Sequence, residues 1–463
     1  MVELFHARCA EGGAALAVSW VADDLSVVDR LSFQGLHQQA CALAERLAAH
    51  GRPGDRVLLA LRPGLDFVRT FWACLLAGRV AVPVPALDAA RLQRGLPRLQ
   101  GIAQDAAAAL GLCDASALPA MQDAFGSTGM PWHAPQALAG ATSVAALPTV
   151  EAGALAYLQY TSGSTSEPRG VCLTHAQVLA NLGMLGAAFG VTPGSRALSW
   201  LPHFHDYGLV SGILLPLACG VPAWLMSPLS FLRRPLRWLD AVDAFAITHT
   251  GAPESAYAAC LRQHADTGWS GRLDSLVSFT CGAEPIRAST AGQLLQAFGP
   301  AGLRPGAFAP AYGLAESVLG VSACAVDVPA RSLRLDGEAL HRHEVVAAAA
   351  SASPTAVRSV VSCGPPMAGV TLSIVDPATG VPCPAGRVGE IWVRSAAVGA
   401  GYWRRPEESA ATFQARRADG DGPFLRTGDL GFVEGGELFV TGRLKDLLIV
   451  HGQNLYPQDI EWT

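Results

Sequence analysis

The eleven cysteines of this 463-residue chain form no C-x-x-C pair and no Cys/His cluster at zinc spacing. A chain of this length does not need disulfide staples, so free thiols in a reducing, cytoplasmic setting are expected. Positive charge is not in excess: 33 Lys plus Arg face 38 Asp plus Glu, which argues against a broad basic face for nucleic acid. Long hydrophobic runs are also missing. The most apolar stretch, "GILLPLACGVPAWLM", is broken by two prolines and two glycines and falls short of the ~20 residues that cross a bilayer. The amino-terminal "MVELFHARCAEGG" lacks a basic segment followed by an apolar core, so a secretory signal is not expected. What is present is globular: half of the residues are apolar and 15% are charged, and the length predicts two or more packed units in a soluble protein. No internal repeat is visible.

The segment from Ser32 sets Leu36, Ala40, Leu43 and Leu47 on one helical face, with Ser32 as N-cap and Gly51 as the stop. Strand-like "DRVLLAL" (55–61), a helical run through "FVRTFWACLLAG" and the apolar "VAVPVP" (80–85) follow, the pattern of a buried parallel sheet. Further strand-like runs are "SRALSWLP" (195–202), "FAITHTGAP" (245–253) and "SLVSFTCGAEP" (275–285), each ending in turn chemistry. Ligands of open α/β sheets collect beyond such strand ends. From about residue 360 the texture changes to short strands between Gly and Pro, "GVTLSIV", "GEIWVRS" and "GELFVTG", which predicts a small antiparallel barrel or sandwich. Residues 321–360 carry no clear period and read as a loose insertion or linker. The expected fold class is α/β, with two sheet subdomains at about 1–190 and 191–359 and a small β-barrel at about 360–442.

Residues 160–170, "YTSGSTSEPRG", are rich in small and hydroxylated side chains and lack the Walker pattern G-x-x-x-x-G-K-[ST]. They follow strand-like "ALAYLQY" and precede helix-like "GVCLTHAQVLANL", so they read as a strand-to-helix turn. Such a turn can offer hydroxyls and backbone N–H groups to phosphate, with Arg169 adding charge, or be an ordinary polar loop. Four more stretches follow in order: "SWLPHFHDYGL" (199–209), "TCGAEPI" (280–286), "AYGLAES" (311–317) and "RTGDLGF" (426–432), the last leading into "GRLKDLLIVHGQNLYPQDIE".

The ordered set resembles the adenylate-forming superfamily of acyl-CoA synthetases, luciferases and peptide-synthetase adenylation domains. Within it the chain is most similar to the fatty acyl-AMP ligases, through "LQYTSGST", "HFHDYG", "VSCGPP" with its preceding insertion, "GYWRRPEESAATF" and "LIVHGQNLYPQDIE". The resemblance implies ATP-dependent activation of a fatty acid to an acyl-adenylate. Transfer to the phosphopantetheine thiol of an acyl carrier protein would follow, in polyketide or lipopeptide synthesis.

The resemblance implies a role for each motif. Thr161, Ser162, Gly163, Ser164 and Thr165 would hold the pyrophosphate portion of ATP. Arg169 stands where many relatives have Lys, and keeps the charge while adding a bidentate grip. Ser166 replaces a frequent Gly. His205 would orient or screen the reacting carboxylate and α-phosphate, with His203 and Asp206 as weaker candidates because a turn histidine is more often a satisfied structural group. Gly282, Ala283 and Glu284 would line one face of the adenine, with Tyr312 and Gly313 on the other. Glu316 would bind Mg²⁺ through oxygen, Asp429 would accept from both ribose hydroxyls, and Arg443 would approach the same ribose. Outside that resemblance Tyr312 reads as core, Glu316 as a solvated carboxylate, and Arg443, Lys445 and Asp446 as surface ion pairs.

Lys445 and Asp446 fall at the family's interdomain hinge, and the sequence stops shortly afterwards at "PQDIEWT". Roughly a hundred residues, one small domain, would ordinarily follow. Residues 443–463 are thus expected to be the hinge and the start of an absent carboxy-terminal domain, and the chain to bind ATP or acyl-adenylate while turning over poorly. Two readings stay open beside the main one: an acyl-CoA synthetase using CoA as acceptor, and a nucleotide-binding domain without catalysis. An amino-acid-activating domain is disfavoured, since "HFHDYGL" replaces the "FDxS"-like stretch that carries its aspartate.

Overall fold

The computed structural model describes residues 1–87, 92–138, 147–161, 168–446, 448–450 and 453–455. The chain divides into two compact units. The first comprises Met1–Leu182, Thr192–Arg233 and Gly399–Glu408, and the second Gly183–Val191, Arg234–Val398 and Ser409–Thr463. The chain therefore enters each unit more than once, where the sequence suggested simple boundaries near 190 and 360.

The first unit opens on the helix Val2–Gly12. The next helix, Phe33–Ala48, begins where the cap predicts: Ser32 Oγ accepts from the Gly35 N–H at 3.0 Å. Its buried face is Phe33, Leu36, Ala40, Leu43, Ala44 and Leu47, the predicted stripe with two additions. The strands Arg56–Ala60, Val80–Pro83, Leu110–Cys113, Trp132–His133 and Leu155–Thr161 are parallel neighbours in one sheet. Their residues are almost wholly buried, because helices must cover both faces of a parallel sheet. Leu58, Val82, Leu158, Trp132 and Phe125 form one apolar core there. A second sheet of this unit orders Ala197–Ser199, Ala223–Met226 and Leu16–Val21 in parallel, with Val27–Ser32 antiparallel at its edge.

One element departs from its sequence reading. "GVCL" does not open a helix. Arg169–Thr174 is a strand antiparallel to Leu155–Thr161, with Thr161 opposite Arg169, and the helix starts only at His175. Val171, Cys172 and Leu173 are buried, and a short, wholly buried apolar run has no period to distinguish strand from helix. The hydroxyl-rich stretch thus joins two strands of a hairpin. Gly401–Tyr402 adds to the outer side of Arg169–Thr174, which is why residues 399–408 belong to the first unit.

In the second unit, His249–Ala252, Ser278–Cys281 and Phe308–Gly313 run parallel, and Gly320–Ala323 returns antiparallel beside the last of them. The expected barrel is instead an open antiparallel sheet, Thr371–Val375, Gly389–Arg394, Leu425–Glu434 and Glu437–Arg443, without barrel closure. The 321–360 segment is not a loose linker. Ser332–Asp336 pairs antiparallel with Val357–Val361, and Leu335 and Leu340 pack on Phe432 and Phe439. All eleven cysteines are free thiols. Among the described residues no helix is long and apolar enough to cross a membrane.

Candidate active site

In the first unit, Ser162, Gly163, Ser164, Thr165 and Ser166 lie outside the described residues, so the hairpin is known through its two ends. Thr161 ends one strand and Arg169 begins the next, as register partners. Arg169 is already engaged. Its Nε is 3.2 Å from Glu408 Oε2 and its guanidinium lies 5.7 Å from the centre of the Tyr402 ring. Arg405 holds Glu408 from the other side at 3.3 Å, and its second arm reaches Asp105, which accepts from the Tyr160 hydroxyl at 2.6 Å. A cation paired this way can exchange its carboxylate for phosphate oxygens without being desolvated anew. Both partners of the Arg169–Glu408 pair are more than a third exposed, so the pair is worth about 1 kcal/mol at most. Glu408→Gln should therefore lower the KM for ATP by up to about fivefold, read from rates over an ATP series. An unchanged KM would take Arg169 out of phosphate binding.

The turn after Ala197–Ser199 carries "HFHDYG". Gly208 is required here, because a Cβ would overlap the Pro202 carbonyl that closes the turn. His205 is the N-cap of the short helix Asp206–Leu209, and its Nδ1 is 2.6 Å from Asp206 Oδ1. The backbone N–H of Tyr207 also points at both groups, at 3.3 Å from His205 Nδ1 and 2.6 Å from the same carboxylate oxygen. The shorter contacts assign the proton on Nδ1 to Asp206. Asp206 is thus the orienting group for the ring. Its hydrogen bond raises the His205 pKa above the ordinary imidazole value, against the effect of burial. The positive ring is present below that raised value and lost above it, which suits a group that screens two anions.

His203 is not the satisfied structural histidine that its turn suggests. It is 1% exposed, and among the described residues neither ring nitrogen has a hydrogen-bond partner. Its neighbours are the Phe67 ring at 5.4 Å and the Trp20 ring at 6.2 Å. Burial alone pushes its pKa down to about 3. The folded state therefore keeps this ring neutral while the unfolded chain binds a proton near the ordinary value. Stability falls as pH drops from about 6.5 toward 3, by at most about 1.4 kcal/mol per pH unit. His203→Phe should move the acid-unfolding midpoint to lower pH, followed by tryptophan fluorescence. An unmoved midpoint would mean the ring is protonated or solvated in the fold.

The second unit carries the other motifs. Gly282 follows the strand Ser278–Cys281, and a Cβ there would press on the Ala311 carbonyl at 2.9 Å. The stretch thus lies against the strand that bears Tyr312. Ala283 is exposed with φ 67°. Glu284 caps the helix Glu254–Thr267, accepting from the Ser255 N–H at 2.8 Å and the Ser255 hydroxyl at 3.0 Å. Its side chain is therefore engaged at the start of that helix. Glu316 is half-buried on the single turn Ala315–Ser317.

The structure brings three of the predicted residues into contact. The Tyr312 hydroxyl donates to Asp429 Oδ2 at 2.7 Å, and Arg443 Nε lies 3.2 Å from Asp429 Oδ1. Asp429 and Arg443 are register partners across adjacent strands. Burial raises the Asp429 pKa, opposed by Arg443 and the Tyr312 hydrogen bond. Burial likewise pushes the Tyr312 phenol well up, so the tyrosine stays the donor. Lys445 and Asp446 follow on the exposed turn Leu444–Asp446.

Sequence reasoning missed Glu390, which is 2% exposed. Its carboxylate accepts from Arg426 at 2.8 Å, the Trp392 indole at 2.9 Å and the Gly428 N–H at 3.1 Å. It thereby holds the "TGD" turn from behind. Only its burial beside Arg426 and Trp392, a three-dimensional fact, marks it out.

A parallel α/β unit with a hydroxyl-rich hairpin, and a second unit with a buried Tyr–Asp pair, joined by an exposed arginine, beside a glycine-bearing strand end, describe a nucleotide-handling enzyme. The chain belongs to the AMP-binding enzyme family, whose match runs over residues 5–403, and within it to the fatty acyl-AMP ligases. It is 41% identical to the medium-chain-fatty-acid–[acyl-carrier-protein] ligase JamA of Moorena producens, covering 100% of this chain and 80% of that protein. Identity to the long-chain-fatty-acid–AMP ligase FadD26 of Mycobacterium tuberculosis is 36%, over 96% of this chain and 78% of that one. The crystal structure of a fatty acyl-adenylate ligase from L. pneumophila in complex with acyl adenylate and pyrophosphate superposes with a TM-score of 0.88. It shares 35% identity, over 100% of this chain and 80% of that one.

Proposed function

We propose that this enzyme activates a fatty acid with ATP and passes the acyl group to the phosphopantetheine thiol of an acyl carrier protein. A carboxylate is a poor electrophile at neutral pH. One of its oxygens forms a bond to the α-phosphorus as the bond to pyrophosphate breaks, giving the acyl-adenylate and free pyrophosphate. The thiol sulfur then attacks the acyl carbon, loses its proton, and AMP leaves with its bonding electrons.

The observation that carries this reading is the Tyr312–Asp429–Arg443 cluster. A buried, ionisable carboxylate held by a phenol and a guanidinium fits two adjacent ribose hydroxyls as donors. Tyr312 and Gly313, with the backbone of Gly282, Ala283 and Glu284, take the adenine. Thr161–Thr165 and Arg169 take the pyrophosphate portion, and His205, oriented by Asp206, screens the carboxylate from the α-phosphate. The half-buried carboxylate of Glu316 fits Mg²⁺ by donor type. When bound there, the ion would neutralise phosphate charge. Lys445 and Asp446 are the pivot of a hinge, and the setting is cytoplasmic.

The acceptor assignment rests on similarity to an acyl-carrier-protein ligase, with CoA as the alternative. Both are tested by incubating the full-length enzyme with ATP, fatty acids of graded length, and either carrier protein or CoA, with products identified by mass spectrometry. Acyl-AMP and acylated carrier protein are expected. Rapid acyl-CoA formation would reassign the acceptor, and no acid-dependent pyrophosphate release would overturn the activation step.

A further inference from the structure

His6 lies on the helix Val2–Gly12, and His37 and Cys41 lie on the helix Phe33–Ala48 of the same unit. The four-residue spacing of His37 and Cys41 puts both on one helix face. His6 Nδ1 stands 2.8 Å from His37 Nε2, and Cys41 Sγ stands 3.7 Å from the same nitrogen. All three donor atoms lie within 4.8 Å of one another. The His37 ring is fixed by stacking on Phe5 at 5.8 Å, itself stacked on the buried Trp72 at 4.5 Å. His37 and Cys41 are half-buried and His6 is exposed, so the cluster opens to solvent on one side.

None of the three has a part in the adenylation chemistry above. Tetrahedral zinc with bonds of about 2.0–2.1 Å to nitrogen and about 2.3 Å to sulfur holds N and S ligands about 3.5 Å apart and two N ligands about 3.3 Å apart. The Cys41–His37 separation already matches. The His6–His37 pair must open by about half an ångström, a movement available to the exposed His6 side chain. Imidazole and thiolate donors select zinc over the hard cations magnesium and calcium. We propose that His6 Nδ1, His37 Nε2 and Cys41 Sγ form a Zn²⁺ site that joins the first two helices. Binding displaces the thiol proton to solvent as the zinc–sulfur bond forms, and water fills the fourth position. Glu45, one turn beyond Cys41 on the same helix, adds negative charge to that face. The sequence hides the site because His6 and His37 are 31 residues apart.

The test uses untagged protein, stripped of metal under reducing conditions and titrated with zinc chloride against a chromophoric chelator. One tight site per chain is expected. His37→Ala and Cys41→Ser should each weaken it about tenfold or more, while His6→Gln, at the exposed position, weakens it with least risk to the fold. Cobalt loading should give a thiolate-to-metal charge-transfer band that Cys41→Ser abolishes. Metal-free melting curves matching wild type would show that the variants fold. No stoichiometric zinc binding, or binding that all three substitutions leave unchanged, overturns the proposal.

Discussion

Asp429→Ala is expected to lower acyl-adenylate formation by about 10²–10⁴-fold, because two charge-assisted hydrogen bonds to ribose are lost at about 1.5–3 kcal/mol each. The same change leaves the Tyr312 hydroxyl without its acceptor and Arg443 without its ion pair. Asp429→Asn keeps the volume and one acceptor oxygen, so its loss should be smaller. Burial raises the Asp429 pKa against the pull of Arg443 and Tyr312. The ionised form is therefore lost at a higher pH than for an ordinary aspartate as pH falls. Wild type should show an acid limb in ATP binding at that raised value, and Asp429→Asn should be flat there. Tyr312→Phe removes only the donor and should cost about tenfold. ATP titrated calorimetrically into each variant separates the contributions, and wild-type affinity in Asp429→Ala would remove this carboxylate from the nucleotide site.

That cluster was legible in the sequence as separate motifs, with Arg443 named from "GRLKD" beside the same ribose. "AYGLAES" and "RTGDLGF" named Tyr312 and Asp429, and the strand register Asp429–Arg443 then explains why an arginine so exposed is nevertheless held. The helix from Ser32 was legible because cap chemistry and period are local. Other features depend on distant partners. The strand at 169–174 shows no alternation because both of its faces are buried, and an open antiparallel sheet differs from a barrel only in whether its edges meet. Residues 321–360 lack a clear period, yet Leu335 and Leu340 find a core on Phe432 and Phe439, about a hundred residues later. Glu390 has no motif of its own, and Glu408 lies in "GYWRRPEESAATF", a stretch that gave it no role. Their roles come from the arginines and backbone groups that the fold sets beside them.

Gly313→Ala should be the most damaging single-methyl addition near the site. A Cβ at this position would run into the Leu319 carbonyl oxygen. That oxygen cannot swing aside cheaply, since it accepts from the Leu314 N–H at 2.9 Å and closes the turn that carries Glu316. The register already slips between Tyr312 and Gly313 to admit the close approach. Relief requires moving the strand that bears Tyr312, so stability and nucleotide binding should fall together, by about 3 kcal/mol or more for the fold. Gly428→Ala provides the contrast. Its φ of 71° disfavours a side chain, but among the described residues nothing stands within 4 Å of an added Cβ, so about 1 kcal/mol is expected. Thermal melts followed by limited proteolysis with and without ATP compare the two. If Gly313→Ala melted with wild type and kept its ATP protection, the backbone of this turn would have to follow a different path.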